Sequence, residues 1–212
     1  MINPMAMEVV CLDLEGVLVP EVWINVAERT GIEALRLTTR DIADYDELMR
    51  YRLRILDQHG LKLPDIQAVI GQMAPLPGAH DFLRWLNQHF QVIILSDTFY
   101  DFAQPLMAQL DYPVLFCHNL VTDATGRITD YRLRLANQKQ AAVLALQSLN
   151  LTVFAAGDSY NDTAMLLAAN AGVLFRPPQR VIDEFPGLPV TTEFTELANQ
   201  FRQASSRRIP SI

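Results

Sequence analysis

Short apolar runs recur along the chain and are spaced by longer amphipathic stretches. The first, EVVCLDL (Glu8–Leu14), ends in acids. Related runs follow as QVIILS (Gln91–Ser96), PVLFC (Pro113–Cys117), TVFAAG (Thr152–Gly157) and AGVLF (Ala171–Phe175). Apolar runs of this length without strict alternation predict parallel strands covered on both faces. Between them, Ala79–Asn87 and Lys139–Leu149 carry apolar residues at helical spacing. In the second, these are Ala142, Leu144, Ala145, Leu146 and Leu149. Strands alternating with helices predict an α/β fold with a doubly wound, mainly parallel sheet. Such sheets bind ligands at the carboxyl ends of their strands.

Between Pro20 and Pro77 the alternation breaks. Glu21–Thr30 and Asp44–His59 read as helices stopped by Gly31 and Gly60, and Pro64–Met73 reads as a third. No strand is expected there. The division that follows is a core of residues 1–19 and 79–212, with a helical cap, residues 20–78, inserted after the first strand. A second irregular piece, Leu120–Leu133, contains DATG and fits a small β-hairpin. The polar tail Ser205–Ile212 is expected to fray.

Composition narrows the classes without choosing among them. The 212 residues are half hydrophobic, the net charge is −7 and the sequence pI is about 5.0. This is no nucleic-acid footprint, and Arg207 and Arg208 in the tail read as solvated. Cys11 and Cys117 lie in apolar runs and read as core thiols. His59, His80, His89 and His118 lack zinc-ligand spacing, and no GxxxxGK phosphate loop occurs. Neither a signal peptide nor an apolar span long enough for a bilayer is visible, so a cytoplasmic location without membrane contact is expected.

The candidate chemistry sits at four strand ends. In DLEGV, Asp13 and Glu15 are two apart on an extended chain and point the same way. Two carboxylates there repel unless they share a cation or a proton. In SDT, the Ser96 hydroxyl and backbone amides can hold phosphate oxygens. Lys139, one of only two lysines, opens a helix. In GDSYND, Asp158 and Asp162 are i and i+4 neighbours, and such hard oxygen donors suit Mg²⁺. Each feature alone has a plain alternative: stray turn acids, a helix cap by Ser96 or Asp97, a solvated lysine, an acidic helix start.

Together and in this order, Asp13/Glu15, Ser96, Lys139 and Asp158/Asp162 resemble the motifs of haloacid-dehalogenase-like phosphatases. The match spans Asp13 to Asp162. The resemblance implies that Asp13 attacks the phosphoryl group and becomes an aspartyl phosphate. Glu15 is implied to protonate the leaving oxygen in that step and then to deprotonate the incoming acceptor. Lys139 and Ser96 support the transferring group. Mg²⁺ is implied on the carboxylates of Asp13 and Asp158 and the backbone carbonyl of Glu15, with Asp162 and Asn161 organising the metal shell and Lys139.

The expected cap helix Asp44–His59 narrows the substrate. Tyr45, Leu48, Met49, Leu53 and Leu56 form one stripe with Arg52 in its middle, while Arg50 and Arg54 fall opposite. An arginine on a buried face needs an anionic partner, either a cap acid or a substrate carboxylate gripped by its planar fork. Glu21 either complements a helix dipole or receives an ammonium group. Cap placement, Glu21 and Arg52 resemble phosphoserine phosphatases. DLEGVLVPE, RLRILDQHGLKL, VIILSDTFY and AAGDSYNDT are most similar to the bifunctional phosphoserine phosphatase / homoserine phosphotransferase family. That family implies phosphoserine as donor, water or homoserine as acceptor, a homodimer, and a place in serine and threonine metabolism. Its substrate residues fall on Glu21, Arg52, Ser96, Asp97, Lys139 and Asn161. Glu15 and Gly16 depart from ordinary phosphoserine phosphatases, which carry aspartate and a hydroxyl residue there. Two rivals remain: a capped phosphatase of another small phosphate ester, and a phospho-aspartate receiver module, which has neither cap nor late GDSYND.

Overall fold

The structure, a computed structural model, describes residues 7–38, 41–42 and 44–212. All five expected strands form: β1 (Glu8–Leu12), β2 (Gln91–Phe99), β3 (Val114–Thr122), β5 (Thr152–Gly157) and β6 (Ala171–Phe175). β4 (Ile128–Arg132) and the short β7 (Val190–Thr191) extend the sheet to seven strands in the order β4-β3-β2-β1-β5-β6-β7. Every pairing is parallel except β3 with β4. The chain winds outward from β1 in both directions, so β1 lies at the switch point where such sheets open a crevice. β1 is wholly buried, which explains its continuous apolar run.

Between β1 and α4 (Ala79–His89) lie α1 (Val22–Thr30), a 3₁₀ turn (Glu33–Arg36), α2 (Tyr45–Gln58) and α3 (Leu63–Ile70). No strand occurs among the described residues of this stretch. Asp44 caps α2 by accepting from the Glu47 N–H at 2.8 Å, and Gly31 ends α1 in the left-handed conformation. Leu48, Met49, Arg52, Leu53 and Leu56 are the buried face of α2, while Arg50 and Arg54 are exposed. The stripe is therefore real, arginine included. The two chain crossings are joined where the Leu76 N–H donates to Leu18 O at 2.9 Å.

The irregular piece is the hairpin β3–β4, and it does more than turn the chain. Arg50 pairs with Asp130 (2.7 Å), Arg127 with Asp57 (2.6 Å), and the Tyr131 hydroxyl donates to Asp46 (2.5 Å). The hairpin thus holds α2 over the sheet edge. β3 is longer than PVLFC because its second half leaves β2 and pairs with β4.

Two expectations fail. The tail is not frayed: Ile209 is buried, and Ser205, Ser206 and Arg207 all bond the buried carboxylate of Glu8. Arg207 also donates to His89 O and lies over Phe90, so it is anchored rather than solvated. A buried anion at the start of β1 needs partners, and the polar tail supplies them. Second, SDT does not follow a finished strand. β2 runs on to Phe99 with a register irregularity between Leu95 and Phe99, so Ser96, Asp97 and Thr98 lie inside a bulged strand end. Cys11 and Cys117 are buried free thiols, as expected.

Candidate active site

Asp13 leaves β1 still tied to the sheet, its N–H donating to Ala156 O at 3.0 Å. The carboxylate accepts from the Leu14 N–H at 2.7 Å. Immediately after, Gly16 takes a φ of 76°, and a Cβ there would stand 2.5 Å from the Asp158 carboxyl carbon. Only glycine lets the first strand end come this close to the loop after β5. Gly157 plays the matching part, since a Cβ would fall 2.3 Å from the Asp162 carboxyl carbon.

Lys139 is buried rather than solvated. It lies in α6 (Gln138–Ser148), and its Nζ reaches Asp162 at 2.7 Å, Asp13 at 3.1 Å and Asp97 at 3.3 Å. Asp162, in the first turn of α7 (Tyr160–Ala168), gives one oxygen to Lys139 and receives the Asp158 and Ser159 N–H groups on the other. It fixes both the lysine and the β5 loop. Oxygens of Asp13, Asp158 and Asp162 all lie within 4.8 Å of one another.

The electrostatics of this cluster are unbalanced. Burial and Asp162 push the Asp13 carboxyl well above its usual range, although Lys139 opposes them. Burial, Asp162 and Glu21 push Asp158 up to about 7 against Lys139 and Ser159. Burial lowers the affinity of Lys139 for its proton, but Asp13, Asp162 and Asp97 outweigh it and hold the ammonium firmly charged. One lysine cannot satisfy three carboxylates and leave Asp158 content. The donor set is all oxygen, buried and short of positive charge, which fits a hard divalent cation such as Mg²⁺.

Glu15 points toward the inserted helices. One oxygen accepts from the Val22 N–H at 2.9 Å, and burial with Glu21 nearby pushes its carboxyl up to about 7, against Val22, Arg52 and Thr98. Glu21 sits just before α1, and its side chain makes no cap bond there. Arg52 is buried, with its guanidinium 4.5 Å over the Trp23 ring and one amino group donating to Leu37 O at 2.9 Å. Its Nε finds no partner among the described residues. Of the two anionic partners weighed for it, no cap acid is among its bonded neighbours; burial lowers its pKa to about 10 against the nearby charges of Glu15 and Glu21.

A cavity of about 360 Å³ is lined by Asp13, Glu15, Glu21, Arg52, Ser96, Asp97, Lys139, Asp158 and Asn161 among others. Nine of the ten expected residues thus line one space, and the tenth, Asp162, is buried directly behind it. A larger cavity of about 710 Å³ adjoins it across Asp97 and Asn161.

Of the residues that set Asp97, Lys139 and Asn161 were expected at the site, whereas Tyr45 was read only as part of the apolar stripe, and Gln138 and His118 were not assigned to it. The Asn161 amide donates to it at 2.9 Å and the Tyr45 hydroxyl to its backbone carbonyl at 3.0 Å. Gln138 reaches it at 3.3 Å, and His118, buried, stands 3.6 Å away. Burial would raise the Asp97 pKa, but Lys139, His118, Asn161 and Gln138 hold it far below the usual carboxylate range. The one available signal was a histidine inside the apolar run after PVLFC.

Residues 12–167 match the profile of the haloacid dehalogenase-like hydrolases. A phosphoserine phosphatase of Pseudomonas syringae pv. tomato is 60% identical over 96% of this chain and 86% of its own length. The phosphoserine phosphatase ThrH of Pseudomonas aeruginosa is 58% identical over 96% of this chain and 99% of its own. Among solved structures, a phospho-aspartyl intermediate analogue of a phosphoserine phosphatase superposes with a TM-score of 0.75 at 16% identity, covering 92% of this chain and 99% of that one. A phosphoserine phosphatase in apo form gives 0.74 at 18% identity, over 91% and 98% of the two chains.

Proposed function

Because the chain belongs to the haloacid dehalogenase-like hydrolases, we propose that it dephosphorylates phosphoserine through an aspartyl phosphate on Asp13. The observation that carries the reading is the unpartnered, buried Nε of Arg52 in the same cavity as Asp13 and Lys139. A buried guanidinium is costly unless an anion completes it. The carboxylate of phosphoserine supplies that anion, and its ammonium meets Glu21. The relatives named as phosphoserine phosphatases at about 60% identity support the same substrate.

The residues divide the work as follows. Asp13, fixed by the Leu14 N–H, presents an oxygen to phosphorus. Lys139 and the Ser96 hydroxyl hold the equatorial oxygens, where charge accumulates. Glu15, near neutral pKa, gives its proton to the departing serine oxygen and later takes one from the acceptor. Asn161 and Asp97 brace one another at the phosphoryl end. Asp13, Asp158 and, by the family resemblance, the Glu15 carbonyl would hold Mg²⁺, with Asp162 orienting the loop; the ion would supply positive charge against the phosphate. Helices α1–α3, residues 20–78, act as the cap that closes over the amino acid.

Homoserine as a second acceptor belongs to this reading. Once serine leaves, Arg52 and Glu21 can hold another amino-acid alcohol, and Glu15 is one methylene longer than aspartate and reaches further toward it. The resemblance to the bifunctional family also supports a homodimer in the cytoplasm. The test is purified protein with phosphoserine and Mg²⁺, assayed for free phosphate and phosphohomoserine with and without homoserine. Release of phosphate that persists in excess chelator, or none at all from phosphoserine, would overturn the proposal.

A further inference from the structure

Among the described residues, five carboxylates and three cations line the catalytic cavity: Asp13, Glu15, Glu21, Asp97 and Asp158 against Arg52, Lys139 and Arg176. Arg52 lies on the buried face of α2, and Lys139 is shared among three carboxylates. Arg176, directly after β6, differs from both. Its side chain keeps 35% of its exposure. Its backbone takes a φ of 52°, the left-handed region that residues with a Cβ adopt at a cost. Strain of this kind persists where the surroundings enforce it, and it gathers at functional sites. The surroundings here are explicit. Nε donates to Thr192 O at 2.7 Å, and the guanidinium lies 4.7 Å over the Phe175 ring and 5.4 Å over Phe194. Its nearest anion, Glu193, is 3.9 Å away and itself 68% exposed. Arg176 therefore holds a fixed, poorly neutralised positive charge at the rim of a predominantly acidic cavity.

We propose that Arg176 is an electrostatic recruiting residue that draws the phosphomonoester dianion into this cavity. The inference rests on the reading of the cavity as the phosphoester site. A chain of net charge −7 repels such a substrate at long range, so one exposed cation at the mouth has a disproportionate effect. At a separation on the order of 10 Å in water, losing a unit charge facing a dianion lowers encounter by about 4-fold. Salt erases the effect, since the Debye length falls from about 30 Å at 0.01 M to about 3 Å at 1 M.

The test is steady-state kinetics on phosphoserine with saturating Mg²⁺ at both ionic strengths. Arg176→Gln should lower kcat/KM by about 4-fold at low salt, mostly through KM, and the deficit should vanish at high salt. Arg176→Lys keeps the charge but loses the planar fork to Thr192, and should stay close to wild type. Glu193→Gln leaves Arg176 in place and removes its nearest anion, so kcat/KM should rise at low salt only. Should Arg176→Gln fail to fold, this last variant still reads the same charge. Equal losses in the Gln and Lys variants, a loss indifferent to salt, or a Glu193→Gln variant with no gain would overturn recruitment. Asp13→Asn in the same assay separates the two readings: turnover that needs Asp13 but ignores the charge at 176 sinks recruitment alone, whereas turnover that survives Asp13→Asn sinks the site.

Discussion

Replacing Arg52 with methionine should leave the free protein about as stable as before while crippling recognition of phosphoserine. Burial brings the guanidinium down to about 10 from its usual value above 12. At ~1.4 kcal/mol per unit, the free chain carries roughly 3 kcal/mol of unfavourable charge burial at this position. Methionine of similar length removes that cost. Against it stand the stacking on Trp23, worth about 1–2 kcal/mol when desolvated, and the bond to Leu37 O, worth about 1 kcal/mol. The sum is within about 1 kcal/mol of zero. A structurally paired buried charge would instead cost about 3–5 kcal/mol on removal. Binding should behave in the opposite way. Losing a buried charged hydrogen bond to the substrate carboxylate costs about 1.5–3 kcal/mol, or roughly 10- to 10²-fold in KM for phosphoserine. A phosphate ester without a carboxylate should change little. Urea denaturation gives the first quantity and phosphate release the second. Arg54→Met is the control: exposed and on the opposite helix face, it should be silent in both. A stability loss above about 3 kcal/mol, or equal KM changes for both substrates, would refute the assignment of Arg52 to the substrate.

Asp13→Asn should abolish turnover, and rapid quenching of wild-type enzyme should trap a hydroxylamine-labile phosphoenzyme absent from the mutant. Gly16→Ala should lose most activity at a modest stability cost of about 1–2 kcal/mol, because its Cβ meets Asp158 at 2.5 Å; calorimetry and kinetics read the two separately. Burial raises the Glu8 pKa, but Ser205, Ser206 and Arg207 outweigh it and leave the group below its usual value. A carboxylate depressed on folding stabilises the protein above its unfolded pKa and loses that contribution as pH falls through the folded one. Thermal melts from pH 6 downward should therefore decline, and Glu8→Gln should start about 1.5–3 kcal/mol lower with a shallower decline.

The α/β alternation was legible because β1, β2, β5 and β6 are covered on both faces, and two-sided burial leaves uninterrupted apolar runs. The Arg52 stripe was legible for a similar reason: helical periodicity is local, and one arginine on the wrong face stands out. What the chain hid depends on partners far apart in sequence. Nothing near Lys139 marks it as buried, since its three carboxylates come from positions 13, 97 and 162. The tail read as frayed because Ser205, Ser206 and Arg207 are polar, and their partner, Glu8, lies almost the whole chain away. The bulge that carries Ser96–Thr98 and the docking of α2 on the β3–β4 hairpin are likewise pairings between distant segments, which periodicity cannot register.

The charge balance of the site makes one further demand. Lys139 already answers Asp13, Asp97 and Asp162, and Asp158, pushed up to about 7 by burial, Asp162 and Glu21 against Lys139, has no ion pair of its own among the described residues. A phosphate dianion entering this space competes with three carboxylates for one ammonium. It gains net attraction only if Asp13 and Asp158 are neutralised by something other than Lys139. The dianion, once present, in turn makes the same position more favourable for a divalent cation. Each ligand therefore improves the site for the other, and linkage requires the two improvements to be equal. Couplings of this kind are typically about 5- to 150-fold. Titration calorimetry with Mg²⁺ should accordingly show a Kd at least about 5-fold lower in the presence of a saturating non-hydrolysable phosphonate analogue of phosphoserine. The reciprocal titration, analogue into Mg²⁺-saturated enzyme, should show the same factor. If Mg²⁺ affinity is unchanged by the analogue, Lys139 alone carries the phosphoryl charge and the acidic cluster is not a shared site for cation and substrate.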